Sequence, residues 1–372
     1  MDRWFESRYT GLFLVCTRVL PRPHDPDLRI WAGGMAPWWR ANPSRESGLE
    51  SREISVGAAG WTRADAEAGT VGEAIERLQT QPLSQDDVRV STRDRWRWPE
   101  PAVDPDRWVL FHPDQYAQAG FPFEPFTGST ECGWVRFRRA LHGGPCWVPL
   151  DLAFLNPLPD QPHRICCSTS TGLSAGRPGD ITRPNLRYRF YRVDSPFSDH
   201  VTMVSVEGED REGFCFSVGS ACRSTRRESW EKSILEAIQG RHFVRHRVAA
   251  SGQRAGPPLG FPDHALYYTL HPEQLRATVL IGPRPAPDGA GEGDEEPLAA
   301  LASRLGPERP ILFRSVTPPA LASELRDWYV LRVVVPGLQP LHGNHLLPHL
   351  GGPLWAPRGV EEWASMPPHP FG

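Results

Sequence analysis

Lysine is all but missing from this 372-residue chain: of 41 basic residues only Lys232 is a lysine, the rest being arginine. Such a bias reflects a GC-rich genome and carries no functional reading. A large excess of either charge is missing too, since the formal net charge is −3, which removes the electrostatic case for nucleic acid. The Arg-rich stretches 136–139 and 223–227 read as solvated faces. No segment reaches the roughly 18 apolar residues of a membrane span, and Arg3, Glu6 and Arg8 interrupt any signal-peptide run. The expectation is a cytoplasmic protein with no membrane partner. Seven cysteines (Cys16, Cys132, Cys146, Cys166, Cys167, Cys215 and Cys222) make an odd set with no Cys-x-x-Cys pair, the pattern of reduced thiols packed as small apolar residues.

What is present is an interleaving of short β-branched and aromatic runs with a few helical patterns. Strands are predicted at Leu12–Leu20, Trp108–Phe111, Trp134–Phe137, Cys146–Leu150, Tyr188–Val193, Val201–Val206, Phe214–Val218 and Trp328–Val335. Helices are predicted at 63–79, 225–246 and 297–305, with a turn at 318–326. This predicts an α+β fold with mixed sheets packed by helices, in a single domain over 1–372. Gly- and Pro-rich stretches near 251–262 and 283–296 read as mobile loops, and 366–372 as an extended polyproline II tail.

Two helical stretches carry the chemistry. In Val71–Leu78, Val71, Ile75 and Leu78 fall on one side and Glu73, Glu76 and Arg77 on the other, with Thr62 as a cap. In the second, Trp230, Ile234 and Ile238 oppose Glu236 and Gln239, with Lys232 a turn earlier and Thr225 or Ser224 as a cap. Paired carboxylates suit Mg²⁺, Gln adds a neutral ligand, and Arg neutralises phosphate. The same spacing also decorates exposed helices for solubility, and spacing alone leaves both readings open.

In order along the chain, these helices and several other stretches resemble the YcaO family, in its azoline-forming branch. They are Gly57–Thr62 with Gly72–Arg77, Phe111–Tyr116, Gly120–Phe123, Thr169–Gly176, Glu236–Arg241, Asp263–Tyr268 and Val333–Gly343. The resemblance implies a YcaO-type fold and ATP-dependent backbone activation. A Cys, Ser or Thr side chain of a peptide attacks the preceding amide carbonyl, ATP phosphorylates the oxyanion, and phosphate leaves as a thiazoline or oxazoline forms. It implies ATP and Mg²⁺ as cofactors, with Glu73, Glu76 and Glu236 as metal ligands and Arg77, Gln239 and Arg241 as further nucleotide-site residues. It also implies that the tail reaches the active site through a Pro-x-Pro-x-Pro pattern. Pro368 and Pro370 match that pattern, and Gly372 stands where the third proline would be. The implied partners are a precursor peptide, a leader-binding protein and a second YcaO protein.

The sequence departs from the family after Gly176. A second Glu-x-x-Glu-Arg helix belongs there, but Arg177–Asn185 contains two prolines and a glycine, and Gly69 replaces a serine four residues before Glu73. One limb of the metal site is therefore expected to be missing. The alternative to an active cyclodehydratase is a degenerate member serving as scaffold or regulatory subunit. Gly172–Gly176 also fits the Gly-x-Ser-x-Gly elbow around Ser174, though no helix can follow it. His342, His345 and His349 admit a zinc reading but lack a Cys or carboxylate partner nearby. Cys166 and Cys167 adjoin the turn without a visible base.

Overall fold

The computed structural model describes residues 13–21, 25–35, 55–79, 87–141, 143–154, 165–166, 183–250, 256–278, 280, 295–316, 331–353, 355 and 359–372. The sequence stretches around Thr169–Gly176, Arg177–Thr182, 283–294 and 318–326 lie outside them. The chain forms two units. The first comprises Met1–Ile75, Gly172–Leu298 and Pro367–Gly372; the second comprises Glu76–Thr171 and Ala299–Met366.

In the first unit, β1 (Phe13–Val19), β2 (Arg29–Met35) and β3 (Ser55–Gly60) form one antiparallel sheet. β7 (Leu186–Arg192), β8 (Thr202–Asp210) and β9 (Gly213–Ala221) form another, and its last two strands turn through Gly213 at φ +97°. Helix α4 (Arg226–Ala250) lies between them. Leu235 and Ile238 pack on Leu28, Ile30 and Ala59 of the first sheet side, while Trp230 and Ala237 pack on Val204 and Val206 of the second. A helix covered on two sides needs apolar or small residues almost all round, and Ser229, Ser233 and Ala237 are fully buried. Close approach explains two glycines. A Cβ on Gly219 of β9 would lie 2.3 Å from the Ser233 carbonyl oxygen, and one on Gly240 would lie 2.3 Å from Ser217 Oγ. α5 (Phe261–Leu270) packs on β9 through Tyr268 against Phe216.

Helix α1 (Arg63–Gln79) begins in this unit and ends in the second. Thr62 starts it reciprocally: its Oγ accepts the Asp65 N–H at 3.2 Å, and Asp65 accepts the Thr62 N–H at 3.2 Å. Ala66, Thr70 and Ala74 form its fully buried stripe, with Thr70 Oγ donating to Ala66 O and Trp31 O.

The second unit is built on β5 (Cys132–Arg139), which pairs with β6 (Pro145–Pro149) and with both β4 (Val88–Ser91) and β10 (Leu312–Ser315); β11 (Leu331–Val334) extends the sheet beyond β10. These pairs are all antiparallel. One sheet face buries Val135, Phe137, Val148 and Leu312. Part of the other is covered by aromatics, with Trp96 against Trp134 and Trp147, and Phe126 against Trp134. Short helices α2 (Pro113–Tyr116), α3 (Leu150–Ala153), α6 (Leu298–Leu305) and α7 (Gly359–Ala364) complete the described elements. Trp108–Phe111, expected as a strand, is irregular: it follows a 3-10 turn at Pro105–Arg107 and runs into α2 at Pro113, and its rings serve the core without a strand partner.

Candidate functional site

The polar faces of α1 and α4 converge on one residue of β3. The Gly57 N–H donates to Glu73 Oε2 at 2.7 Å, and Gln239 Nε2 donates to Gly57 O at 2.6 Å. A glycine is required there because a Cβ would lie 2.9 Å from Trp31 O of the neighbouring strand. Glu73 and Gln239, distant in sequence, are thus fixed around the same peptide.

Glu236 sits one turn before Gln239 on α4. Its Oε1 pairs with Lys232 Nζ at 2.9 Å and its Oε2 accepts the Ser220 N–H at 3.3 Å. The chain's only lysine therefore places its ammonium on one of the candidate metal ligands. Its side chain is 11% exposed and that of Glu236 30%, so solvent screens the pair in part.

Arg241 follows a different path. Its side chain is buried, donating to Cys215 O and to Asp210 Oδ2, both at 3.2 Å. Arg245, a turn further on, pairs with the same Asp210 carboxylate and with Glu212. Burial pulls the Arg241 guanidinium below its ordinary value, with Asp210 opposing the shift. Burial raises the Asp210 carboxyl, but the Glu212 N–H and the two arginines outweigh it and hold the group below the usual carboxylate range. Arg241 thus braces a carboxylate at the β8–β9 turn, a partner 31 residues away that helix spacing does not reveal.

Glu76 and Arg77 lie beyond the unit boundary, on the part of α1 that belongs to the second unit. There, burial lowers Arg332 of β11, and the charge of Glu76 opposes that shift. Arg332 also donates to Ala153 O. Gly69, in place of the family's serine, has a packing reason: its Cβ would lie 2.7 Å from Ala58 Cβ of β3.

The tail packs on α5 within the first unit. Tyr268 donates to Pro368 O at 2.5 Å, and His264 Nδ1 contacts His369 O at 2.8 Å with the two imidazoles stacked at 3.7 Å. Pro368 is buried, Pro370 half-buried, and Phe371 joins the Phe216–Tyr268 cluster. At Gly372 an added Cβ would lie 2.4 Å from Ala265 Cβ, which leaves no space for a proline ring. Of the histidine set in the second unit, His349 is 1% exposed, and burial drives it down to about 4. An imidazole held neutral beside Phe111, with Nδ1 on Pro340 O, is a core residue in its contacts.

A family model described as YcaO cyclodehydratase, ATP- and Mg²⁺-binding, matches residues 57–178, beginning at the clasped Gly57. Over those residues, about a third of the chain, the sequence matches the YcaO family. Solved structures with the YcaO fold extend the likeness over most of the sequence. A heterocyclase in complex with substrate and cofactor aligns at 14% identity and TM-score 0.64, over 89% of this chain and 50% of that one, so the chain spans half the heterocyclase's length. The YcaO protein of Methanopyrus kandleri, bound with AMPPCP and Mg²⁺, aligns at 16% identity and TM-score 0.52, over 91% and 90%. The E. coli microcin synthetase McbBCD complex aligns at 12% identity and TM-score 0.54, over 96% of each chain. At these identities the shared property is the α+β YcaO fold. No curated protein matches the sequence. Among the described residues, no helix is long and apolar enough to cross a membrane.

Proposed function

We propose that this YcaO protein is a component of an ATP-dependent peptide cyclodehydratase that forms thiazoline or oxazoline rings, acting with a leader-binding partner protein. The observation that carries the reading is the clasp of Gly57 between Glu73 and Gln239, at the start of the family match. The donor set fits the implied cofactors in kind. Glu73 and Glu236 offer hard carboxylate oxygens, and Gln239, with its amide nitrogen on Gly57, leaves its amide oxygen as a neutral ligand. Mg²⁺ there would shield the charge of ATP and stabilise charge developing in phosphoryl transfer. The chain's own residues set the site: Gly57 fixes Glu73 and Gln239, and Ser220 orients Glu236.

A second reading, a degenerate YcaO protein that supports another subunit, rests on the same contacts. Glu73 holds a backbone N–H, Gln239 a backbone carbonyl, and Lys232 stands on Glu236 as an internal cation that a metal would have to displace. The two readings part in one assay. The protein, its partner, a Cys- or Ser-containing precursor peptide, ATP and Mg²⁺ are incubated, and the peptide is weighed by mass spectrometry. Loss of water that stops with Glu236→Gln supports the enzyme. Loss of water unaffected by that change, with ATP turned over by another subunit, supports the scaffold.

A further inference from the structure

The second unit leaves half of one sheet face open. Antiparallel register puts Arg89, Trp134 and Arg136 with Trp147 on that face, and Arg138 with Phe313 and Val333. The aromatic segment before β5 covers the Trp134 end, so the other end is left to solvent. There Leu331 and Val333 are 49% and 50% exposed, and Phe313 is half-buried between Val333 and the exposed Arg138. Arg89 marks the border, its guanidinium 5.0 Å from the Trp98 ring and 5.2 Å from Trp147. Arg136 is pinned by two hydrogen bonds to Glu100, at 2.7 and 2.6 Å. Among the described residues the face thus carries three arginines against one carboxylate, Glu100, which holds Arg136.

We propose that this open face is a docking surface for an extended acidic peptide segment of a partner protein, with acidic side chains on Arg136 and Arg138 and apolar ones on Phe313, Leu331 and Val333. Charge decides the partner: the excess of guanidinium selects carboxylates. The spacing decides the form: Arg136 and Arg138 stand two residues apart on one face of β5, the repeat at which an extended chain presents every second side chain. Exposed aliphatics beside stacked Arg and Trp give the composition of an interface core. The proposal is independent of the nucleotide site, whose acidic helices contribute nothing to it.

The test uses a fluorescein-labelled peptide repeating Glu-Ser-Glu-Ser-Val-Ser-Val-Ser, whose Glu and Val side chains share one face when extended, its Lys-for-Glu counterpart, and a labelled oligothymidylate, each titrated with the full chain by anisotropy. The acidic peptide is expected to bind saturably, with affinity falling as salt rises, and the basic one to show no binding. Arg138→Glu should weaken the acidic peptide by about tenfold, and Val333→Ser by a few-fold, while far-UV circular dichroism and the melting temperature stay unchanged. Two substitutions at opposite ends of the patch keep the test open if one variant folds poorly. Absence of binding by the acidic peptide, equal binding of the two peptides, or indifference to both substitutions overturns the proposal. So does oligothymidylate binding that equals the peptide's, which would make the face a general polyanion surface.

Discussion

Glu73 Oε2 takes the backbone N–H of Gly57 at 2.7 Å across 16 residues of sequence, tying α1 to the strand on which it lies. A charged acceptor on a half-buried amide contributes more than a neutral one, and deleting it leaves the N–H without that acceptor. Glu73→Ala should therefore lower stability by about 2 kcal/mol, read by urea denaturation at constant m-value. Glu73→Gln, which keeps an acceptor oxygen, should cost less than half of that.

The contact between α1 and β3 also accounts for Gly69. Gly69→Ser should destabilise the protein by about 1–3 kcal/mol through overpacking against Ala58, and Ala58→Gly in the same chain should recover part of the loss. Additive losses in the double variant, measured by thermal melts, would show that the two positions do not compete for the same space.

Much of this was legible beforehand. The helix at 63–79 has the boundaries its apolar spacing predicts, and Thr62 caps it. Most of the second acidic helix was legible as well, because aromatics and aliphatics recur along it. β2 and β3 were not, since Ala32–Gly34 and Gly57–Gly60 offer small residues with no alternation to detect. Their smallness is the packing requirement itself: a Cβ at Gly60 would lie 2.6 Å from the Ala66 nitrogen at the start of α1. The burial of Arg241 was equally hidden. A charged residue on a polar-looking face reads as exposed until the fold brings Asp210 to it.

Asp210 makes that cluster sensitive to pH. Its folded-state value is depressed, so its contribution is present above the ordinary aspartate value near 4 and is lost as pH falls through the folded value. Asp210→Asn should cost about 3 kcal/mol at neutral pH, by leaving Arg241 and Arg245 without their shared carboxylate. Its stability should fall less than that of the parent between pH 5 and pH 3, both followed by urea denaturation.

Lys232 and a divalent cation compete for Glu236 if both readings of that carboxylate have physical content. Lys232→Met removes an ammonium 2.9 Å from the carboxylate oxygen. Affinity for Mg²⁺ in the presence of ATP should rise about fivefold, roughly 1 kcal/mol for a partly screened charge. Calorimetric titration with MgCl₂ checks this, and an unchanged or weaker affinity would mean that the lysine does not occupy the cation's place.

The most direct test of the nucleotide site is calorimetric titration of ATP into the chain with Mg²⁺ present, with the Glu236→Gln variant alongside. Glu236→Gln keeps the shape of the side chain and the acceptor for Ser220 while removing the charge. Saturable, Mg²⁺-dependent binding that is lost in the variant is the predicted result. Absence of binding by the parent chain, or equal binding by both, would contradict the assignment of the clasped acidic helices to ATP and Mg²⁺.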